Sequence, residues 1–302
     1  MKRETLEKLA GSPLPLRGAA VAALGVSLAA SALASVGAYL ASRRVTVPAP
    51  VEEKYVTPWE LGIPYEEVSF RTADGLALRG WWMGREDAAR TIVTLAGHNG
   101  AKHHTVGIAS ALWARGANVL LFDNRARGES EGEMTSLGYF ERLDAEAAVE
   151  YALSRSAAPL GLFGFSMGGA VALMTAARDE RVGSVVADSA FSSQRGLLGS
   201  KLRGVMGPLS PLAIRLMQRI LPYELQAVAP IREVADISPR GCMFVHGGAD
   251  ETTDPNDSRA LYEAAGEPKR LWTLPGVGHC DAYFADRARY VERVSAFLEE
   301  HL

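Results

Sequence analysis

Cysteine is scarce in this chain. Two residues, Cys242 and Cys280, among 302 cannot build a disulfide framework or a cysteine-rich zinc module. An excess of one charge is also missing. The 32 basic and 35 acidic residues leave a formal net charge of −3, and no long basic tract stands out. That argues against a dedicated nucleic-acid binder, and no nucleic-acid partner is expected. Glycine and proline, at 30 and 15 residues, are present at ordinary frequencies, which excludes collagen-like, low-complexity and disordered chains. What remains is 48% apolar, enough for one large domain or two small ones around a sizeable core.

The apolar residues are unevenly spread. From Gly18 to Ser42 there are 25 residues without a charge, closed by Arg17 on one side and by Arg43 and Arg44 on the other. As a helix this run reaches roughly 37 Å, enough to cross a hydrocarbon core of about 30 Å. Three readings compete: an uncleaved membrane anchor, a signal peptide cut at Ala32-Leu33-Ala34, and a buried soluble helix. The run is longer than a usual signal core and has no polar face, so the anchor is preferred. Lys2, Arg3, Lys8 and Arg17 precede it; Arg43, Arg44 and Lys54 follow. This slight excess before the run leans towards an internal N-terminus and an exported body. Residues 1–44 are thus assigned to the anchor or signal segment. Residues 45–60, with Pro48, Pro50 and Pro58, read as an extended linker, and 61–302 as the main domain.

In that domain, short apolar runs alternate with helical patterns. Val68–Arg71 and Leu76–Trp82 flank Ala73-Asp74-Gly75 as a hairpin. Strands are expected at Thr91–Leu95, Asn118–Phe122, Leu160–Phe165, Val182–Val186, Cys242–His246 and Leu271–Leu274. Helices are expected at Thr105–Ala114, Phe140–Ser154, Met167–Ala177, 256–265 and Ala282–Leu298. Single helices between strands indicate βαβ crossovers and a mostly parallel sheet, an α/β fold. The rhythm lapses between Ala190 and Ala227.

Gly164-Phe165-Ser166-Met167-Gly168 is a G-x-S-x-G pentapeptide, weak alone but placed between a predicted strand and a predicted helix. A sharp turn there lifts a serine above the sheet, and glycines are needed where backbone passes close by. A serine hydroxyl is a poor nucleophile without a base. Asp250 and His279 both fall just past the C-terminal ends of later strands, in the chain order that such a fold uses. Ser166 is therefore the candidate nucleophile, His279 the general base and then acid, and Asp250 the residue that holds the imidazole tautomer. Asp254 and Asp188 are rival acids, while His246 reads as structural.

An oxyanion also needs donors. The N–H of Met167 is one candidate. The N–H of His98, in the loop Ala96-Gly97-His98-Asn99-Gly100, is the second, with Asn99 the runner-up. His98, His103 and His104 invite a metal reading, but no carboxylate or cysteine is interleaved and a serine triad needs no metal. No metal and no cofactor are expected.

Together these residues resemble the α/β-hydrolase superfamily over about 55–302, in its serine aminopeptidase and acylglycerol-lipase-like branch. Asp123, Arg125, Gly128 and Ser130 match the branch's D-x-R-x-x-G-x-S loop, which is structural there. His246-Gly247-Gly248-Ala249-Asp250 is similar to its HG-x-x-D acid loop, and Thr57–Trp82 resembles membrane-anchored bacterial hydrolases. The family usually carries His-Gly directly after the third strand, where this chain has Ala96-Gly97-His98. Serine at 166 disfavours the relatives that use an aspartate nucleophile. The resemblance implies an α/β-hydrolase fold, with helices flanking the sheet and a small helical lid over about 190–227.

Met206, Leu209 and Met217 are the apolar pocket candidates in that insertion, together with Asn99 from the oxyanion loop. Arg195, Lys201, Arg203, Arg215 and Arg219 make the insertion basic. It reads as a packed amphipathic helix pair, as an acyl-chain pocket, or as a face on anionic lipid. Cys242 and Cys280 sit at opposite edges of the sheet, about 16 Å apart along a strand, so two free thiols are expected. The leading function is a serine hydrolase of small-molecule or lipid-like carboxylic esters. A peptidase with the same triad is the alternative, and a non-catalytic membrane-tethered interaction protein is a third reading of another class.

Overall fold

The computed structural model describes residues 14–52 and 54–302. Lys2, Arg3 and Lys8, used above for orientation, lie outside the described residues. The chain divides into two compact units: one joins the N-terminal segment to Ser42 with Gly199–Pro222, and the other comprises Arg43–Leu198 and Tyr223–Leu302.

The larger unit carries an eight-stranded sheet of order β1-β2-β4-β3-β5-β6-β7-β8. The strands are β1 Glu66–Arg71, β2 Ala77–Met83, β3 Arg90–Leu95, β4 Ala117–Phe122, β5 Leu160–Phe165, β6 Val182–Asp188, β7 Gly241–Gly247 and β8 Lys269–Leu274. β1 and β2 form the expected hairpin, and β2 pairs antiparallel with β4. Every later pairing is parallel. Crossovers are made by α2 Val106–Ala114, α3 Glu141–Arg155, α4 Met167–Arg178 and α7 Pro255–Ala264, and the unit ends with α8 Ala282–Ala285 and α9 Arg287–His301. The central strands β3 to β7 are almost wholly buried, as expected where helices cover both faces, while the edge strands β1 and β8 carry exposed polar residues. On one face, Ile92, Val119, Leu121, Phe163 and Val245 pack with Ile108 and Leu112 of α2 and Val294, Phe297 and Leu298 of α9. On the other, α4 lies across β5 and β6.

Chain order reverses at β3. β4 is added on one side of it and β5 on the other, so a crevice opens between the C-terminal ends of β3 and β5. Ligand sites in open α/β sheets form at this switch point.

Two sequence expectations change. The single helix expected at Ala282–Leu298 is broken at Asp286, whose carboxylate accepts the Arg289 N–H at 3.1 Å and caps a new helix. β6 extends to Asp188, so this aspartate ends the strand instead of following it.

In the smaller unit, the first helix, α1 Leu14–Thr46, carries the uncharged run. Its stretch Val21–Thr46 has a mean hydropathy of 1.9, long and apolar enough to cross a membrane. Val21, Leu24, Val26, Leu28, Leu33, Val36 and Leu40 are all exposed, the reverse of a core helix. The insertion folds as α5 Gln194–Met206 and α6 Ser210–Ile220. α6 buries Ser210, Ala213, Ile214 and Met217, at i, i+3, i+4 and i+7, and exposes Arg215 and Arg219, an amphipathic helix. Met206 packs on α1 at Gly37, where a Cβ would stand 2.3 Å from the methionine sulfur.

Candidate active site

Ser166 stands between the end of β5 and the start of α4 with φ 52° and ψ −116°, a backbone conformation that few side-chain-bearing residues adopt. The flanking glycines are required by close approach. A Cβ on Gly164 would lie 2.3 Å from the Gly168 carbonyl, and one on Gly168 would lie 2.3 Å from the Leu95 carbonyl oxygen. The turn is anchored from below, where the Ser166 N–H donates to Asp188 O at 2.7 Å.

His279 Nε2 lies 3.0 Å from Ser166 Oγ, and His279 Nδ1 lies 2.6 Å from Asp250 Oδ2. These partners fix the neutral tautomer: Nδ1–H donates to the carboxylate, and the Nε2 lone pair faces the hydroxyl. The two loops reach each other because Gly247 has no side chain. A Cβ there would lie 2.3 Å from Gly278 O, and the N–H groups of Gly248 and Ala249 donate to Leu274 O and Val277 O at 2.7 and 2.8 Å.

Asp250 is fully enclosed. Its Oδ1 accepts the N–H groups of Thr252 and Thr253 at 2.7 and 2.9 Å, and its Oδ2 accepts Thr253 Oγ1–H at 2.8 Å as well as His279. Burial alone would raise its carboxyl, but hydrogen bonds from His246 and His279 and from the Thr253 N–H hold it well below the usual range. The rival acids are engaged elsewhere. Asp254 caps α7 through the Asn256 N–H at 2.9 Å. Asp188 accepts Tyr290 O–H at 2.6 Å and Ser189 O–H at 2.8 Å. Burial among these neutral donors pushes its carboxyl up to about 6. Ser189 Oγ in turn accepts the Cys280 N–H at 3.1 Å, so Asp188 braces the loop that carries His279.

The loop after β3 lies beside the serine: a Cβ on Gly97 would be 3.4 Å from Ser166 Cβ. Met167 opens α4, where the first N–H groups of a helix have no intrahelical acceptor. His98 Nε2 is 3.3 Å from Arg44 O, which turns its ring towards the last turn of α1. Asn99 has φ 62°, and its Oδ1 accepts the Ala49 N–H at 3.4 Å, so its side chain braces the loop. Arg127 closes this arrangement, donating to the carbonyls of Gly100, Asn99 and Ala49. The D-x-R-x-x-G-x-S segment is thus the support under the loop. Asp123 accepts Lys102 N–H and Nζ–H, each at 2.7 Å, and a Cβ on Gly128, at φ 50°, would lie 2.1 Å from Asp123 Oδ2. Sequence spacing cannot show such a buttress, because its partners lie on three separate loops.

Met206, Leu209 and Met217 belong to the smaller unit, on α5, the following turn and α6. Glu52, His103 and His104 bring possible ligand atoms within 4.8 Å of one another. His104 Nδ1 already accepts the Ala101 N–H at 2.9 Å, which puts its proton on Nε2 and leaves it no free lone pair for a metal. Both cysteines are free thiols. Burial pushes Cys242 up to about 12 and raises Cys280 as well, so neither carries the thiolate of a reactive cysteine. His246, which the sequence reads as structural, also meets Asp250, at 3.2 Å.

The sheet order, the strained serine after β5 and the loops gathered at the switch point define an α/β hydrolase. A sequence profile of the family described as serine aminopeptidase, S33, matches residues 86–236, and the chain belongs to this α/β-hydrolase family. The match includes Ser166 and ends before Asp250 and His279. Among relatives, the chain is 30% identical over 240 residues to YfhR of Escherichia coli K12, an uncharacterized protein, covering 76% of this chain and 77% of that one. It is 24% identical over 263 residues to the protein bem46 of Schizosaccharomyces pombe, covering 84% and 83%. Among solved structures it resembles the Pyrococcus furiosus esterase Pf2001, with TM-score 0.69 and 24% identity over 84% of this chain and 99% of that one. It also resembles Est1E of Butyrivibrio proteoclasticus, solved with ferulic acid, with TM-score 0.61 and 19% identity over 78% and 99%.

Proposed function

We propose that the protein is a membrane-anchored serine hydrolase that cleaves carboxylic esters through an acyl-enzyme on Ser166. The observation that carries this reading is the continuous contact from Ser166 Oγ through His279 to Asp250, at 3.0 and 2.6 Å. Ser166 Oγ attacks the ester carbonyl while His279 Nε2 takes its proton, and Asp250 stabilises the imidazolium. The N–H groups of Met167 and His98 receive the developing oxyanion. His279 then protonates the departing alcohol, and a water activated by the same imidazole releases the acid.

The family description makes a peptidase the alternative to be separated. An aminopeptidase needs carboxylates to hold the substrate amine, and Ala190–Ala227 carries five basic residues and only Glu224 as an acid. The test is turnover of p-nitrophenyl esters of increasing chain length against aminoacyl amides, with Ser166→Ala as control. Ester cleavage that vanishes in the variant is expected. Amide cleavage that exceeds it would reverse the assignment.

α1 is proposed as the anchor, with the sheet-bearing domain exported. The full chain should resist carbonate extraction from membranes, and its domain should be digested by protease added to the exterior side. Release by carbonate would contradict the anchor, and protection from protease would contradict the orientation.

A further inference from the structure

Two histidines, not one, face the acid of the triad. His246 is wholly buried at the end of β7. Its Nδ1 lies 2.6 Å from Ser258 Oγ on α7, and its Nε2 lies 3.2 Å from Asp250 Oδ2 and 3.3 Å from Thr253 Oγ1. A neutral imidazole carries one N–H. Were it on Nδ1, a lone pair would face the Asp250 carboxylate in a site closed to water, and the one hydroxyl near it, Thr253 at 3.3 Å, already donates to Asp250 at 2.8 Å. With Ser258 O–H donating to Nδ1, the proton sits on Nε2 and points at Asp250. A single file of hydrogen bonds then runs from Ser258 through His246, Asp250 and His279 to Ser166.

Resting on the triad reading above, we propose that His246 is a positioning residue for the reaction: its Nε2–H keeps the Asp250 carboxylate ionised and aimed at His279, and Ser258 sets the tautomer that makes this possible. Oδ2 is the oxygen that His279 uses, and His246 and Thr253 are the other side chains donating to it. Thr253 Oγ1 is shared, lying 3.0 Å from Ser189 O and 2.8 Å from Asp250 Oδ2. For the His246 Nε2–H, Asp250 Oδ2 at 3.2 Å is the charged and nearer acceptor, with the neutral Thr253 hydroxyl oxygen at 3.3 Å. The other titratable groups around this pair are Asp188 from β6, Asp257 from α7 and Cys280 beside His279. Asp188 and Asp257 are held by their own donors, Tyr290 and Ser189 for one and Ser192 for the other. Cys280 stays a neutral thiol.

Without the His246 donor, the buried carboxylate becomes a stronger base, and the Asp250–His279 pair binds its proton at higher pH. The test compares wild type, His246→Leu, His246→Gln and Ser258→Ala in the full chain in detergent, with rates normalised to titrated active sites. The acid limb of kcat/KM for a p-nitrophenyl ester should move up by about half to one pH unit in His246→Leu. Ser258→Ala should move it less, in the same direction. His246→Gln, which places an amide N–H near Nε2, should restore it. The limb unmoved in both Ser258→Ala and His246→Leu, with only fewer active sites, would overturn the proposal in favour of a purely structural histidine. If His246→Leu does not fold, Ser258→Ala and His246→Gln decide the matter. NMR titration of His279 in a Ser166→Ala background gives the same comparison without turnover. Should wild type cleave no ester, the hydrolase reading fails while an upward NMR shift in His246→Leu still supports the positioning role; no shift overturns it.

Discussion

Ser166, Asp250 and His279 are far apart in the chain and share one reason for meeting. Each stands just past the C-terminal end of a parallel strand, and those ends are in register: Leu95 with Gly164, Phe165 with Asp188, and Gly247 with Leu274. Asp250 makes the most demanding contacts, because a buried carboxylate is tolerable only when its oxygens are filled with donors. Replacing it with asparagine inverts one donor–acceptor pair and removes the charge that, in the proposed mechanism, stabilises the imidazolium. Asp250→Asn is expected to lower kcat on the order of 10⁴-fold. Asp188→Asn and Asp254→Ala, whose carboxylates serve Tyr290 and the α7 N-terminus, should stay within about tenfold of wild type. Steady-state kinetics with a single ester decides among the three. Normal turnover by Asp250→Asn would move the acid role elsewhere.

At the scale of elements, the proposed mechanism makes the loop after β3 a backbone device. In it His98 contributes its N–H, while its ring faces the last turn of α1 at Arg44 O. His98→Ala should therefore keep kcat within about tenfold, whereas His98→Pro, which removes the N–H, should lose about 10²–10³-fold. Equal losses in the two variants, with unchanged melting temperatures, would show that the ring is the working group. This division between backbone and side chain also marks what was legible in the chain. The glycines around Ser166 announce the sharp turn, because close approach of backbone at Gly164 and Gly168 leaves no room for a side chain. The period-two and helical patterns place all eight strands to within a few residues. Asp286 lies inside an apolar-periodic stretch that hides the break, although an aspartate that caps a helix is its local sign. The buttress of Arg127, Asp123 and Lys102, and the contact of His246 with Asp250, depend on which loops the sheet gathers at one edge. No periodicity in the chain encodes that.

At the scale of the whole molecule, stability should carry the mark of Asp188. Its folded carboxyl is raised to about 6 from an ordinary 3.8, so the folded state holds this proton more tightly than the unfolded chain. The contribution is full below about pH 4 and is lost as pH rises through the window to about 6, an effect of about 3 kcal/mol. Denaturant unfolding in detergent at pH 4.5 and 7.5 should show wild type gaining stability relative to Asp188→Asn at the lower pH. A difference independent of pH would mean that the carboxyl is not held in this way. The molecule as a whole joins two unlike apolar parts. One is a sheet core enclosed by α2, α4 and α9, and the other is α1, whose side chains from Val21 to Leu40 are largely exposed.

The most direct test of the central claim is covalent labelling of the full chain with a fluorophosphonate, followed by mass spectrometry of the peptide that contains Gly164–Gly168. The expected result is one adduct on Ser166 that abolishes ester hydrolysis in proportion to its extent, with no adduct in Ser166→Ala. A wild-type protein that takes up no label, or a variant that labels equally, would contradict nucleophilic catalysis by this serine.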